Sequence, residues 1–539
     1  TNTGLLKICP PQALKPYIPE DYSERVMQVL ESRCRILRKY GLKAAFKTFE
    51  PQMLPEKVYE DHPLWRGPRV DHPMRSRVAR WAPDIDNPDV LELYNESLKI
   101  LLDRCPEIEI LTLTTNDSGT GLSWSGGLYS GKSGNREYKN RRMDERLYSF
   151  FFTLQKAARE AGNELEIDIM WTREQFPERI AEGLSKGMAI ENLEGPDAGP
   201  FKTQVGFLMD YYNFYYPVMG IPQVKTFLDE LEQASASQAP RLFVFIGDRY
   251  NRELYFDLFD AYNQTPVIGR IPKLEFLREF AEEQIGIGLS ENLFNLWLML
   301  GEVNDHSHWV ETGGYIYYLG GVQQRWLTRP FIPFPEELKP SEKDYFRKFQ
   351  FQARTEEHAN DMADLQGTRL YSGWSGKFYV HKVMNEVRSR LKEARKFNDL
   401  IVNHADDSMT KAKHSLLDKR LEAMILLSNN AEFATSYQAQ LDRVKRLNKE
   451  PEFRPVVGIK SSWDRSLMLQ TARDEIDNTG RLLELLQSTD EMILDLAPTT
   501  REKDIRRLGP DFADELKLKM KIMNDHWMDY NRFFTTPRN

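Results

Sequence analysis

The sequence lacks several features that would assign a chain quickly to one class of protein. No apolar run approaches the roughly 18 residues that a membrane-spanning helix needs. The opening residues, Thr-Asn-Thr-Gly-Leu-Leu-Lys-Ile-Cys, do not show the basic and apolar pattern of a signal peptide. The net charge of -8 gives no basic surplus. We therefore expect neither nucleic acid nor a membrane as partner. The expected compartment is the periplasm or the exterior if a signal peptide was removed, and otherwise the cytoplasm.

Cysteine is scarce, and two common enzyme motifs are missing. Cys9, Cys34 and Cys105 lie far apart in the sequence, without metal or redox spacing, and are predicted to be buried thiols. No G-x-G-x-x-G follows a candidate strand, which counts against a dinucleotide-binding fold. Around Ser123 and Ser125 the G-x-S-x-G elbow is incomplete, which counts against a serine hydrolase.

What the chain does contain is a steady alternation of apolar, β-rich segments and amphipathic helical patterns over its first 290 residues. This alternation predicts right-handed crossovers and a parallel sheet covered by helices, an α/β class. Eight candidate strands suit a (β/α)8 TIM barrel, although Pro266 and Pro272 flank the seventh and weaken it. The candidates are 5–9, 42–49, 108–115, 165–171, 188–193, 242–246, 267–271 and 285–289.

The character of the sequence changes near residue 336. Proline thins out after Pro340, and long charged helical patterns follow. A chain of 539 residues also exceeds a comfortable single core. We predict a barrel domain over 1–335 and a C-terminal all-α helical domain over 336–539, with the boundary in 331–340. The helical patterns are 342–358, 382–398, 409–427, 430–447, 466–486 and 511–530.

Acidic residues follow several of the candidate strands. The candidates are Asp117, Glu194, Asp197, Asp248 and Glu291. A barrel brings the ends of its strands to one open rim, so these carboxylates are predicted to share a pocket. The alternative is that they cap turns through Asx hydrogen bonds or form surface salt bridges.

Two or three carboxylates in one pocket suit glycoside hydrolysis. One carboxyl group protonates the leaving oxygen, while an ionised one activates water or attacks carbon. Their mutual repulsion helps to separate their pKa values. This chemistry needs no cofactor. The aromatic fraction of 12% fits stacking on sugar rings, and it equally fits a large, well-packed enzyme.

Arginines and tryptophans near the same strand ends are candidates for substrate binding. Within 61–77, arginines could clamp a substrate carboxylate and a tryptophan could stack on a sugar. The alternative for this segment is a proline-stiffened loop held by its own salt bridges. The substrate-binding candidates are Trp65, Arg66, Arg69, Trp124, Trp171 and Arg249, with Arg75 as a further clamp.

Two further motifs are weaker. Residues 126–133, Gly-Gly-Leu-Tyr-Ser-Gly-Lys-Ser, match the phosphate-binding G-x-x-x-x-G-K-[ST] pattern. The preceding strand ends about ten residues too early, and a polar segment follows, so a chance match is the favoured interpretation. His306 and His308, like His62 and His72, lack the spacing of a strong metal motif, and we predict no metal site.

Several short segments together resemble the α-glucuronidase family of glycoside hydrolases, which release 4-O-methyl-glucuronic acid side chains from xylan fragments. The resemblance spans roughly 40–300 and implies a barrel in which Asp197 lies in the segment of a catalytic base and Asp248 replaces an acidic Glu. The family's general acid is the Glu of an Asp-Ser-Glu motif, and here Gly119 stands in its place. The segments are 47–51, 105–108, 117–119, 169–171, 194–197 and 245–250.

The sequence therefore predicts a glycoside hydrolase that removes a terminal sugar, uronic or otherwise acidic, from an oligosaccharide or polysaccharide. Asp117 is the expected general acid, and Asp197 and Asp248 are the expected base and substrate clamp; Glu194 and Glu291 are reserves. A carbohydrate is the expected partner, and homodimerisation stays open. The alternative, motivated by Gly119, is a non-catalytic glycan-binding protein on a barrel scaffold.

Overall fold

The structure is a computed structural model. It describes residues 4–70, 79–114, 143–170, 217–236, 248–312, 326–350, 360–362, 374–449, 461–500 and 508–535. The chain divides into two compact units. Unit 1 comprises 1–206 and 234–243, and unit 2 comprises 207–233 and 244–539. The predicted division into a barrel over 1–335 and a helical domain over 336–539 stays a prediction.

Unit 1 contains a small parallel sheet and the helices around it. Its helices are α1 (Leu5–Ile8), α2 (Glu20–Lys39), α3 (Glu56–Asp61), α4 (Pro88–Arg104) and α5 (Met143–Glu160). Its strands are β1 (Ala44–Phe49), β2 (Arg66–Arg69), β3 (Trp81–Pro83), β4 (Ile108–Thr114) and β5 (Glu166–Met170).

Three strands of unit 1 form a parallel sheet in the order β1-β4-β5, and β2 pairs antiparallel with β3. The predicted strands at 42–49, 108–115 and 165–171 are thereby confirmed. The last residues of the three parallel strands are in register, because Phe49 pairs with Thr114 and Thr114 pairs with Met170. We call the edge where these strands end the carboxyl edge.

Burial explains why these segments form strands. In β1, Ala44, Phe46 and Thr48 are buried while Ala45 and Lys47 are exposed, the two-residue period of a strand with one covered face. The central strand β4 is buried on both faces, as parallel strands between helices are. Its Leu111 and Leu113 share one apolar core with side chains of α4 and α5.

Helix α4 has clear sequence signals at both of its ends. The Asn87 side chain accepts a hydrogen bond from the Asp89 backbone N–H at 2.9 Å, and Pro88 occupies the first helical position. The helix ends at Cys105, whose N–H donates to the Leu101 carbonyl. Pro106 follows, and a proline stops a helix from continuing.

Three predicted strands are wrong. Residues 5–9 contain helix α1, whose first backbone N–H groups lie against side chains that follow β1. Residues 267–269 are irregular, and 270–271 already belong to the next helix, which begins at Arg270. Residues 285–289 are the junction of two helices, separated by Gly286 at φ 84°. Short apolar runs do not distinguish strands from helix ends.

The described chain is therefore mostly helical with a small parallel sheet, and a TIM barrel is not shown. The remaining predicted strands, 188–193 and 242–246, lie outside the described residues.

Unit 2 is predominantly helical in its described ranges. Its helices begin with α6 (Val224–Ala236), whose last three residues are grouped with unit 1, and continue with α7 (Arg252–Gln264), α8 (Arg270–Ile285) and α9 (Ile287–Thr312). They go on to α10 (Pro340–Arg347), α11 (Trp374–His404), α12 (Ser408–Lys449), α13 (Ser461–Gln487), α14 (Phe512–Asp525) and α15 (Trp527–Thr535).

The predicted C-terminal helices are largely confirmed, with three differences in their limits. The pattern 342–358 is helical only as far as Arg347 within its described residues, which end at 350. The patterns 409–427 and 430–447 belong to one helix, α12, which continues through the buried Ser428, whose hydroxyl donates to the Met424 carbonyl. The pattern 511–530 is two helices that meet at His526. None of the helices in the described ranges combines the length and apolar character that crossing a membrane requires.

Candidate functional site

The carboxyl edge of unit 1 is the candidate site. Because β1, β4 and β5 end in register, the chain leaves all three strands on the same side of the sheet. Such edges are where parallel α/β folds bind ligands. Glu50 follows β1 directly. Asp117 follows the last residue of β4 by three positions, and Trp171 follows β5 directly; both lie outside the described residues.

Glu50 is a fully buried carboxylate at this edge, and its two oxygens accept hydrogen bonds from four groups. Oε1 accepts from the Thr48 hydroxyl at 2.8 Å and from the Leu5 backbone N–H. Oε2 accepts from the Tyr94 hydroxyl at 2.9 Å and from the Gln52 backbone N–H at 3.3 Å. Burial raises the pKa of Glu50, and the hydrogen bonds oppose that shift. Its contacts make it an anchor between β1, α1 and α4.

A second polar contact lies beside Glu50. The Gln52 side-chain oxygen accepts hydrogen bonds from the Gly4 backbone N–H at 2.7 Å and from the Lys7 ammonium at 3.1 Å. Burial lowers the pKa of Lys7 to about 8, with Glu50 raising it and Arg80 lowering it further. At neutral pH this lysine is therefore still mainly a cation, close to the end of β1.

Neither Glu50 nor Lys7 is among the sequence-predicted site residues. Glu50 stands directly after a strand and before Pro51. The same rule that selects Asp117 could therefore have selected it. Lys7 carries no such signal, because its segment is predicted as a strand and forms α1.

The predicted sugar-binding tryptophan Trp65 is buried, with 8% of its surface exposed. Its ring stacks on His62 with centroids 3.9 Å apart. Stacking on a sugar would need an open ring face, and His62 occupies one of the two.

The arginines of the same segment are held locally. Arg66 pairs with Glu56, and its guanidinium lies over the Trp81 ring at 5.3 Å. Arg69 ends β2 and pairs in register with Trp81. The contacts of the Arg66 side chain and the strand pairing at Arg69 favour the alternative, in which the segment is held by its own interactions. Arg75 lies outside the described residues.

In unit 2, Asp248 organises the turn before α7. Its carboxylate accepts hydrogen bonds from the backbone N–H groups of Gly220 (3.0 Å) and Tyr250 (2.9 Å), and from the Asn251 amide (2.7 Å). The side chain is 8% exposed in this arrangement. This is the pattern of an Asx turn. Gly220 has φ 73°, and a Cβ there would collide with the Arg420 guanidinium.

Arg249 and Glu291 form contacts on the surface of unit 2. The Arg249 guanidinium donates to the Tyr250 hydroxyl at 3.1 Å, and that contact raises its pKa. Glu291 does not end a strand: it lies in the first turns of α9, is 64% exposed and pairs with Arg278 at 3.4 Å. Its predicted position at a barrel rim is wrong, because the apolar run before it is a helix junction.

The other predicted site residues, Asp117, Glu194, Asp197, Trp124 and Trp171, lie outside the described residues, as does the phosphate-loop match at 126–133. In the parts of the chain that are described, no three His, Cys, Asp or Glu side chains group as a metal site would require.

Comparison with known proteins shows a relationship of fold. No family model matches the sequence, and a search of curated proteins finds no match. Among solved structures, a GH138 enzyme targeting pectin rhamnogalacturonan II is similar with a TM-score of 0.55 and 9% identity, over 98% of this chain and 75% of that one. At this identity the likeness shows a shared fold.

Proposed function

We propose that the chain is a glycoside hydrolase that removes a terminal acidic sugar from an oligosaccharide or polysaccharide at the carboxyl edge. The observation that carries the proposal is that β1, β4 and β5 are parallel and that their last residues pair in register, so the three strands end side by side. Asp117 follows the central strand by three residues and remains the proposed general acid. Asp197 is the proposed base, with Glu194 in reserve.

The fold relationship supports the reaction class. The similar GH138 enzyme targets pectin rhamnogalacturonan II. The acidic sugar in the proposal is the one that the α-glucuronidase resemblance implies.

The contacts of Asp248 and Glu291 remove support from their proposed roles. Asp248 accepts two hydrogen bonds within its own turn and a third from the Gly220 backbone N–H, and Glu291 lies on a helix surface. Asp117 and Asp197 therefore carry the proposed acid and base roles, and Trp124 and Trp171 remain the proposed stacking platforms.

The test is hydrolysis of matched acidic and neutral oligosaccharides. Rhamnogalacturonan II fragments and glucuronoxylan fragments would be incubated with the protein, alongside carboxyl-reduced versions of each, and released monosaccharides separated by chromatography. We expect a uronic acid to be released from an acidic fragment and nothing from its reduced counterpart. Binding of a fragment without release of any sugar would instead establish the glycan-binding alternative that Gly119 motivates. Neither binding nor release would contradict both.

A further inference from the structure

Three cysteines that are distant in the sequence come together in the core of unit 1. Cys34 lies near the end of α2, Cys105 caps the end of α4, and Cys9 follows α1. All three are buried and free. Cys34 and Cys105 belong to the same buried core cluster, and the neighbouring Cys34 thiol contributes to raising the pKa of Cys105. The Cys9 thiol instead donates to the Met27 sulfur at 3.4 Å.

Ion pairs join the two segments of sequence that contain Cys34 and Cys105. Arg104, directly before Cys105, donates to Glu31 at 2.7 Å, and Glu31 lies three residues before Cys34. Arg104 also donates to Glu24 at 2.6 Å. Arg38, four residues after Cys34, pairs with Glu107, two residues after Cys105. Ion pairs thus join α2 to the end of α4 both before and after the two cysteines in the sequence.

We propose that Cys34 and Cys105 form an intramolecular disulfide when the chain folds in the presence of a disulfide oxidant. In the first step the Cys105 thiolate attacks a small disulfide such as oxidised glutathione, forming a mixed disulfide and releasing one glutathione thiolate. In the second step the Cys34 thiolate attacks the protein sulfur of that mixed disulfide and releases the second glutathione. The protein loses two electrons and two protons, and the oxidant is reduced to two thiols.

Burial determines when this reaction can take place. Burial raises the pKa of Cys105 to about 12, and the neighbouring Cys34 thiol raises it further. Burial likewise raises the pKa of Cys9 to about 12. Thiols react as thiolates, and in an unfolded chain their pKa is about 8.5. The disulfide therefore forms during folding or local opening, and the folded core then shields it from exchange.

Cys9 provides the internal control. It is as buried as Cys105 and close enough for the Cys105 charge to affect its pKa. Its thiol nevertheless bonds to Met27 rather than to a cysteine. The inferred pairing thus leaves Cys9 as the single free thiol.

The experiment is redox equilibration of the full chain. The protein would be held in glutathione buffers of increasing oxidised fraction, with urea below the unfolding midpoint, then quenched in acid, alkylated and mapped by mass spectrometry. We expect two thiols to disappear together, a 34–105 linked peptide pair, and alkylation of Cys9 alone. Because the bond closes a loop of about 70 residues, the oxidised protein should melt roughly 5–10 °C higher than the reduced one.

Two variants complete the test. Cys9→Ala should form the bond as the wild type does, and Cys34→Ala should retain two free thiols or carry glutathione on Cys105. Three free thiols at the most oxidising ratio, stable glutathione adducts on the wild type, or a bond that includes Cys9 would each overturn the proposal. Peptide mapping of the wild-type protein tests the Cys34–Cys105 bond even if Cys34→Ala does not fold.

Discussion

At the scale of single residues, the buried carboxylate of Glu50 stabilises unit 1, because both of its oxygens accept two hydrogen bonds each. Glu50 receives hydrogen bonds from two backbone N–H groups and two hydroxyl groups in the buried interior. A buried donor that loses its acceptor costs about 1–3 kcal/mol. Glu50 therefore holds the end of β1, the start of α1 and the middle of α4 in one arrangement.

We predict that Glu50→Gln destabilises the protein by about 2–4 kcal/mol, because the new amide group faces two donors that it cannot accept from. Urea unfolding followed by circular dichroism measures the change. The exposed Glu164 of the same unit provides the matched control, and Glu164→Gln should stay within about 0.5 kcal/mol of the wild type. Equal stabilities for the two variants would contradict the anchoring role.

Residue type alone does not separate structural from catalytic carboxylates. The sequence shows Glu50, Asp117 and Asp248 alike, as acids at the ends of apolar runs. What distinguishes Asp248 is that Gly220 and Asn251 donate to it, and Gly220 lies 28 residues earlier in the chain. Such contacts depend on the tertiary fold, which a single sequence does not reveal.

At the scale of elements, helices with clear end signals are predictable and short apolar runs are not. Asn87-Pro88 marks the start of α4, and Cys105-Pro106 marks its end. The run at 285–289 has the apolar composition of a buried strand, while Gly286 at φ 84° turns one helix into the next. A positive φ at a glycine is invisible in a hydropathy pattern.

The C-terminal helices meet at a histidine with two acidic partners. His526 lies between α14 and α15, and its ring nitrogens bond to Glu342 of α10 at 3.0 Å and to Asp529 of α15 at 2.8 Å. Burial alone would lower its pKa, but these two carboxylates outweigh that effect and raise it. The folded state therefore holds the His526 proton more tightly than the unfolded state does.

This linkage predicts that His526 contributes stability that is fully present below its unfolded pKa, near 6.5, and lost as the pH rises through its higher folded pKa. Urea midpoints measured between about pH 6 and pH 9 should thus fall for the wild type more steeply than for His526→Gln. The exposed His404 offers the control, and His404→Gln should keep the wild-type slope. Parallel slopes for wild type and His526→Gln would contradict the assignment.

At the scale of the whole molecule, the α/β character and the helical C-terminal region are predictable from the sequence. The barrel prediction depends on the number of candidate strands. Three of the eight candidates form the parallel sheet, and three others are helical or turn segments. The fold relationship to a GH138 enzyme covers nearly the entire chain at 9% identity. Side-chain chemistry at such distance is not inherited with the fold, so the proposed function depends on Asp117.

The most direct test of that proposal is the turnover of Asp117→Asn. The variant keeps the size of the side chain and removes the acid, so the thermal midpoint should be unchanged while release of the acidic sugar falls by roughly 10²–10⁴-fold, the usual contribution of general acid catalysis. Turnover of the same oligosaccharide equal to that of the wild type would contradict the central claim that the carboxyl edge is the catalytic site.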